Sequence, residues 1–211
     1  MNKTFIVGSD SNCEWMLSWW YANFKKHNKE NIPLTICDFG LSKRALDWCE
    51  KNKLNVKKVT GATGWFFKPT ALRSVKAKQK VWIDVDCEIR GSISPLFDFI
   101  ESDKLSCSFD RFHSWGCLYQ TGVVGVQGDP KILIDWESKC KKPSGPYARG
   151  DQELLWDLVG KDYDKKISII PEKYNRLRMS LDSEKVHHDT RIIHWTGEAG
   201  KKIIEHKMKK L

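Results

Sequence analysis

The sequence predicts an α/β fold with a mainly parallel central sheet flanked by helices. Three observations carry this expectation. Short apolar strand patterns alternate with helical patterns through the first sixty residues, as in βαβ units. The chain of 211 residues, 40% of them hydrophobic, suffices for one sizeable core and is short for two, so residues 1–211 read as a single domain. Finally, the apolar run KVWIDVD ends in Asp84 and Asp86, at the kind of strand end where parallel sheets bind ligands.

The elements follow in order. Lys3 to Gly8 (KTFIVG) is an apolar strand running into the polar turn Ser9-Asp10-Ser11-Asn12, and a helix follows from Ser11 to about Lys26. Pro33 to Phe39 is a second strand, Ser42 an N-cap for a helix over Lys43 to Asn52, and Asn55 to Val59 a third strand. After the turn Gly61 to Gly64 and the segment WFFKP, a helix is expected from about Pro69 to Lys78, proline being accepted in a first turn. Lys80 to Val85 is the strand that delivers the two aspartates. Leu105 to Asp110 and Tyr119 to Asp129 are strands, a helix begins near Pro130, and residues 140–150 (CKKPSGPYARG) form a loop. A helix over Asp151 to Val159, strands at Lys166 to Ile170 and Arg191 to His194, and a basic C-terminal helix complete the chain.

Composition excludes some classes. Mean hydropathy is −0.52 and no apolar run approaches 18 residues, so no transmembrane helix is expected. The N-terminus lacks the apolar region of a signal peptide. Seven cysteines lie far apart without a Cys-x-x-Cys pair and read as reduced, packed thiols of a cytoplasmic protein. A net charge of +9 implies an affinity for anions, without choosing among nucleotides, nucleic acid, phosphorylated glycans and an anionic membrane. Ten tryptophans offer flat faces for sugars or bases, although core packing is their commoner use.

A lone Asp-x-Asp proves little, since a chain with sixteen aspartates contains about one by chance. Asp162-Tyr163-Asp164 is such a pair in a polar loop. Asp84 and Asp86 differ because residues i and i+2 of a strand face one way. Two carboxylates converging there suit a hard divalent cation that also takes phosphate oxygens. On spacing alone, a pair neutralised by a nearby Lys or Arg is an equal alternative.

The stretch VWIDVDCEIRGSISPLFDF resembles the segment of GT-A-fold glycosyltransferases in which a strand ends in Asp-x-Asp before a strand, a turn and a helix. It is most similar to the retaining family-eight type, which includes glycogenin and lipopolysaccharide galactosyltransferases. FIVGSDSN, YQTGVVGVQ, GDQELLW, IPEKYN and IIHWTGEAGKK resemble further segments of that family in the same order, over about Phe5 to Lys202. The resemblance implies a GT-A (Rossmann-like) domain with a small additional sheet, a nucleotide-binding half over about 1–100 and a sugar and acceptor half over about 101–211. It implies a metal-dependent hexosyltransferase using a nucleotide sugar, most simply a UDP-sugar, with retention.

Carried onto this sequence, the resemblance makes Asp84, Asp86 and His194 ligands of Mn²⁺ or Mg²⁺; a histidine closing a buried strand is the plain alternative for His194. Ser9, Asp10, Lys68, Val85, Thr121, Gly122, Gly197 and Lys201 would contact the nucleotide sugar. Asp151 and Gln152, which otherwise read as the capped start of a helix, would sit beside the donor sugar as catalytic residues. Phe109, Asp110, Arg111, Phe112, His113 and Trp115 would form an acceptor-side wall or a core edge. The acceptor, whether glycan, lipid-linked glycan, protein or modified nucleic acid, is not written in the sequence. A second class of function is a non-catalytic basic module. Its tail, GKKIIEHKMKKL, could dock nucleic acid or an anionic membrane through lysines above an apolar face of Ile203, Ile204, Met208 and Leu211.

Overall fold

A computed structural model describes residues 2–112, 118–144, 150–160, 163–181 and 184–210. The N-terminal half alternates as expected: β1 (Lys3–Ser9), α1 (Leu17–His27), β2 (Leu34–Asp38), α2 (Lys43–Lys51), β3 (Asn55–Lys58), α3 (Phe67–Ser74) and β4 (Gln79–Ile83). Next come β5 (Cys87–Ile89), β6 (Leu105–Phe109), β7 (Tyr119–Gln127), α4 (Lys131–Lys141), α5 (Asp151–Val159), α6 (Tyr163–Lys166) and β8 (Ile167–Ile169). The chain closes with β9 (Arg176–Leu177), α7 (Glu184–Asp189), β10 (Ile192–His194) and α8 (Gly197–Met208).

The central sheet has seven strands in the order β3-β2-β1-β4-β7-β6-β8. β7 is antiparallel to both neighbours, and the remaining pairings are parallel. A smaller sheet, β5-β10-β9, lies beyond the end of β4. The buried strand β1 shows why the sheet is covered on both faces. Phe5 and Val7 join the core under α1, α2 and the small sheet, while Ile6 between them joins the core under α3, α4 and α5. Trp20 and Trp136, one in each core, are fully buried, so packing claims the largest side chains.

Several expected boundaries move. The helix expected from Ser11 starts at Leu17, after a 3₁₀ turn at Glu14–Met16, because the Asp10 carboxylate accepts from the backbone N–H groups of Asn12 and Cys13 and holds a turn there. The helix expected from Pro69 starts two residues earlier, at Phe67, which places Pro69 within the first turn. β4 ends at Ile83, so Asp84 and Asp86 lie past the strand and their convergence is not strand alternation. Ser42 does cap α2, accepting from Ala45 N–H. β9 lies between the strands expected at Lys166 to Ile170 and at Arg191 to His194, where no strand is expected.

The C-terminal helix docks on its own core. Ile204 is fully buried, and Ile203 and Met208 pack against the same cluster. A Cβ on Gly200 would stand 1.9 Å from the Trp195 carbonyl oxygen, so only glycine lets α8 lie this close to the end of β10. Three of the apolar residues offered by the membrane-docking alternative, Ile203, Ile204 and Met208, are thus taken up by the fold, and Leu211 lies outside the described residues. Among the described residues, no helix is long and apolar enough to cross a membrane.

Candidate active site

The site forms where β4, β7 and the small sheet meet. β4 and β7 pair with Ile83 opposite Val123, and the next link is Asp84 N–H to the Gly122 carbonyl at 2.8 Å. A turn then closes from Cys87 N–H to the Asp84 carbonyl at 3.0 Å and swings Asp86 onto the side of Asp84. β5 pairs antiparallel with β10 so that Cys87 faces His194, and Trp195 N–H reaches the Asp86 carbonyl at 3.0 Å. Backbone ladders therefore bring His194, more than a hundred residues away in sequence, to the two aspartates.

The side chains converge accordingly. His194 Nε2 is 3.3 Å from Asp86 Oδ1 and 3.9 Å from Asp84 Oδ2. Lys68, on the first turn of α3 and 3% exposed, sits 3.1 Å from Asp84 Oδ1, 3.0 Å from Asp151 Oδ2 and 2.7 Å from the Thr121 carbonyl. Its N–H groups donate to the Asp84 carboxylate and to the carbonyl and hydroxyl of Thr121, while Asp151 adds an ion pair. Trp82 Nε1 donates to Asp84 Oδ1 at 2.5 Å, its ring stacked with Phe39, which stacks in turn on Phe67. Asp84 thus meets its counter-charge on one side and the imidazole on the other.

Three carboxylates, of Asp84, Asp86 and Asp151, face one ammonium, which leaves two negative charges when the imidazole is neutral. The proton affinities reflect this crowding. Burial and the charge of Asp86 raise the pKa of Asp84 despite Lys68. Burial also acts to raise Asp86, but the attraction and hydrogen bond of His194 outweigh it and leave Asp86 low. Burial would lower the pKa of His194, yet Asp86 and then Asp84 draw a proton onto the ring and raise it. Lys68 stays charged because Asp151 and Asp84 overcome its desolvation.

These donors fit a divalent cation by charge and by chemistry. One ligand atom each from Asp86, Cys87 and His194 lies within 4.8 Å of the others. Burial keeps the Cys87 thiol far above its ordinary pKa, so carboxylate and imidazole are the donors suited to a hard or borderline cation. A Cβ on Gly122 would lie 2.4 Å from His194 Nδ1, so the glycine makes room for the ring.

The other expected residues take varied places. Thr121 N–H points at Gln152 Oε1, 3.4 Å away, and Gln152 Nε2 faces Asp110 Oδ2 at 3.5 Å, which fixes the amide at the start of α5. Ser9 ends β1 with its hydroxyl on the Asp10 carbonyl, and Asp10 caps the local turn. Val85, between the aspartates, packs partly into the core. Gly197, with φ of +75°, opens α8, and Lys201 pairs with Glu198 at 3.0 Å one turn on. That pairing raises the pKa of Lys201, to which Asp86 also contributes. Phe109 and Phe112 are exposed, while His113 and Trp115 lie outside the described residues, as do residues 145–149 of the expected loop and Asp162. The sequence reading gave no role to Trp82 or to the buried Asn175. Asn175 stands in the segment IPEKYN, the one signal that could have drawn attention to it.

No family model and no curated protein matches the sequence. Solved structures do match. The galactosyltransferase LgtC, in complex with donor and acceptor sugar analogs, aligns with a TM-score of 0.66 at 14% identity, over 98% of this chain and 94% of that one. The glycosyltransferase GlyE of Streptococcus pneumoniae TIGR4 aligns with a TM-score of 0.69 at 14% identity, over 93% of this chain and 55% of that one. The bifunctional glycosyltransferase WbbM gives 0.66 at 12% identity, over 93% of this chain and 46% of that one. The fold of this chain is the GT-A fold of those proteins.

Proposed function

We propose that this protein is a metal-dependent glycosyltransferase that moves a hexose from a nucleotide sugar, a UDP-sugar, to an acceptor with retention, its residues 1–211 acting as one catalytic domain. The observation that carries the reading is the doubly negative cluster of Asp84, Asp86, Asp151 and Lys68, with His194 at its mouth, at the end of a central strand of a GT-A fold. Asp84, Asp86 and His194 are the ligands for the cation, and the imidazole favours Mn²⁺ over Mg²⁺. Bound there, the cation supplies charge neutralisation for the donor diphosphate as nucleoside diphosphate departs.

The chain's own residues set the rest. Lys68 takes a different part from the donor contact expected of it, since its N–H groups are used within the protein. It holds Asp84 and Asp151 in place and keeps the cluster at the charge of one divalent ion. The backbone of Gly122 borders the sugar, its side-chain space being taken by the His194 ring, and Thr121 and Gln152 supply polar contacts to the hydroxyls. Lys201 and the backbone around Gly197, at the start of α8, lie on the Asp86 side, where the diphosphate would emerge.

Asp151 is tied to Lys68 and Gln152 is an amide, which leaves neither poised as a covalent nucleophile. Front-face substitution accounts for retention. The bond from the anomeric carbon to the phosphate oxygen breaks, the bond to the acceptor oxygen forms on the same face, and the acceptor proton passes to the departing phosphate. The exposed rings of Phe109 and Phe112 offer the acceptor an apolar wall. Screening nucleotide sugars for Mn²⁺-dependent thermal stabilisation tests the reading. A ligand at a hundred times its Kd adds about 2.7 kcal/mol, and a flat response across the nucleotide sugars contradicts the proposal.

A further inference from the structure

Behind the carboxylates, two side chains carry buried polar atoms with no hydrogen-bond partner. His194 Nδ1 is one such atom, and both Nδ2 and Oδ1 of Asn175, a residue 0% exposed, are the others. Buried amides and ring nitrogens are nearly always paired, so side chains left open beside a cleft point to a bond that the working site completes. Both flank Gly122: its Cβ, if present, would stand 2.4 Å from His194 Nδ1 and 3.0 Å from Asn175 Oδ1. The missing side chain of that one residue is the gap across which they face each other.

The backbone places Asn175 there. Its N–H is held by the Glu172 carbonyl at 2.9 Å, and the next residue enters β9, whose Arg176 and Leu177 register with Ile193 and His194 of β10. A ligating histidine normally gives its second ring N–H to another group, which fixes tautomer and orientation, and losing that partner costs about 10- to 100-fold in metal affinity or activity.

We infer that Asn175 is a positioning residue for His194: its Oδ1 accepts the Nδ1–H across the gap at Gly122 and so keeps the Nε2 lone pair aimed between Asp86 and Asp84. This rests on the proposed role of His194 as a cation ligand. The amide does not touch the cation or substrate. It selects the tautomer that can bind.

The test measures Mn²⁺ affinity by calorimetry for the wild type, His194→Ala, Asn175→Ala and Asn175→Asp, and the tautomer of His194 by ¹⁵N spectroscopy of the metal-free protein at a pH where the ring is neutral. The wild type is expected to show the Nδ1–H tautomer. Asn175→Ala should weaken Mn²⁺ binding about 10-fold or more and mix the tautomers, whereas Asn175→Asp, which retains an acceptor, should restore most of both. Unchanged affinity and an unchanged tautomer in folded Asn175→Ala would overturn the inference. If that variant does not fold, Asn175→Asp decides: loss of the Nδ1–H tautomer together with Mn²⁺ affinity overturns it. Wild-type affinity in His194→Ala would instead remove the underlying role of His194, a failure read separately.

Discussion

The ammonium of Lys68 stands 3.1 Å from the carboxylate of Asp84, with Lys68 almost wholly buried. This pair joins the first turn of α3 to the end of β4, and Asp151 brings α5 to the same ammonium at 3.0 Å. Asp84 and Asp86, two residues apart, repel each other unless positive charge sits beside them. One is balanced from within the protein by a lysine, which leaves room for a further cation beside the other.

Replacing Lys68 with methionine leaves Asp84 and Asp151 buried without a counter-charge, and such a loss costs about 3–5 kcal/mol. Urea denaturation of the metal-free variant should show it. Mn²⁺ should raise the melting temperature of the variant by more than it raises that of the wild type, because the cluster gains one unit of negative charge. A variant as stable as the wild type would mean that the pair is not held as described.

Gly122→Ala places a methyl group 2.4 Å from His194 Nδ1 and 2.5 Å from Cε1, so the ring has to move. Mn²⁺ affinity should fall about tenfold, or about 1.4 kcal/mol. Gly125→Ala, three residues along β7, is the comparison. Its Cβ would crowd Ile100 Cγ1 at 2.9 Å in the core, so it should lower stability and spare Mn²⁺ binding. Equal Mn²⁺ affinities for the two variants would contradict the assignment of His194.

Glu137 of α4 binds Arg73 of α3 and Lys141 one turn along its own helix. Burial acts to raise its pKa, but the hydrogen bonds from Lys141 and Arg73 prevail and hold it below the usual glutamate value of 4.5. A pKa depressed by folding contributes stability above the unfolded value and loses it as the pH falls through the folded value. Glu137→Gln should therefore lower the melting temperature at pH 7 and flatten its decline below about pH 4.5. A pH profile parallel to that of the wild type would remove Glu137 from acid stability.

Much of the frame is legible in the sequence because it rests on local rules. Buried strands such as FIV and VWI follow from periodicity and the Ser42 cap from its residue type, whereas α5 starts at Asp151 after Gly150 with no side-chain cap, the carboxylates of Asp151 and Glu153 lying in its first turn. Asp84, Asp86 and His194 were identifiable together only through the order of several segments. Their approach depends on β5 pairing with β10, a contact that no local pattern encodes. Strand alternation gave the wrong reason for the convergence of the aspartates, because the chain turns after Ile83. The part played by Lys68 is also hidden, since in sequence it reads as a contact to the nucleotide sugar until Asp84, Asp151 and Thr121 are seen around it. Asn175 and Trp82 escaped notice for the same cause: an unpaired amide and an indole N–H gain meaning only from what folding brings beside them.

If Asp84 and Asp86 with His194 hold a cation for a nucleotide sugar, calorimetric titration of UDP into the wild type and the Asp84→Asn/Asp86→Asn double variant, with and without Mn²⁺, will show it. The wild type should bind UDP only when Mn²⁺ is present, and the folded double variant should not bind it in either condition. Mn²⁺-dependent binding undiminished in the double variant would mean that the two aspartates do not hold the cation.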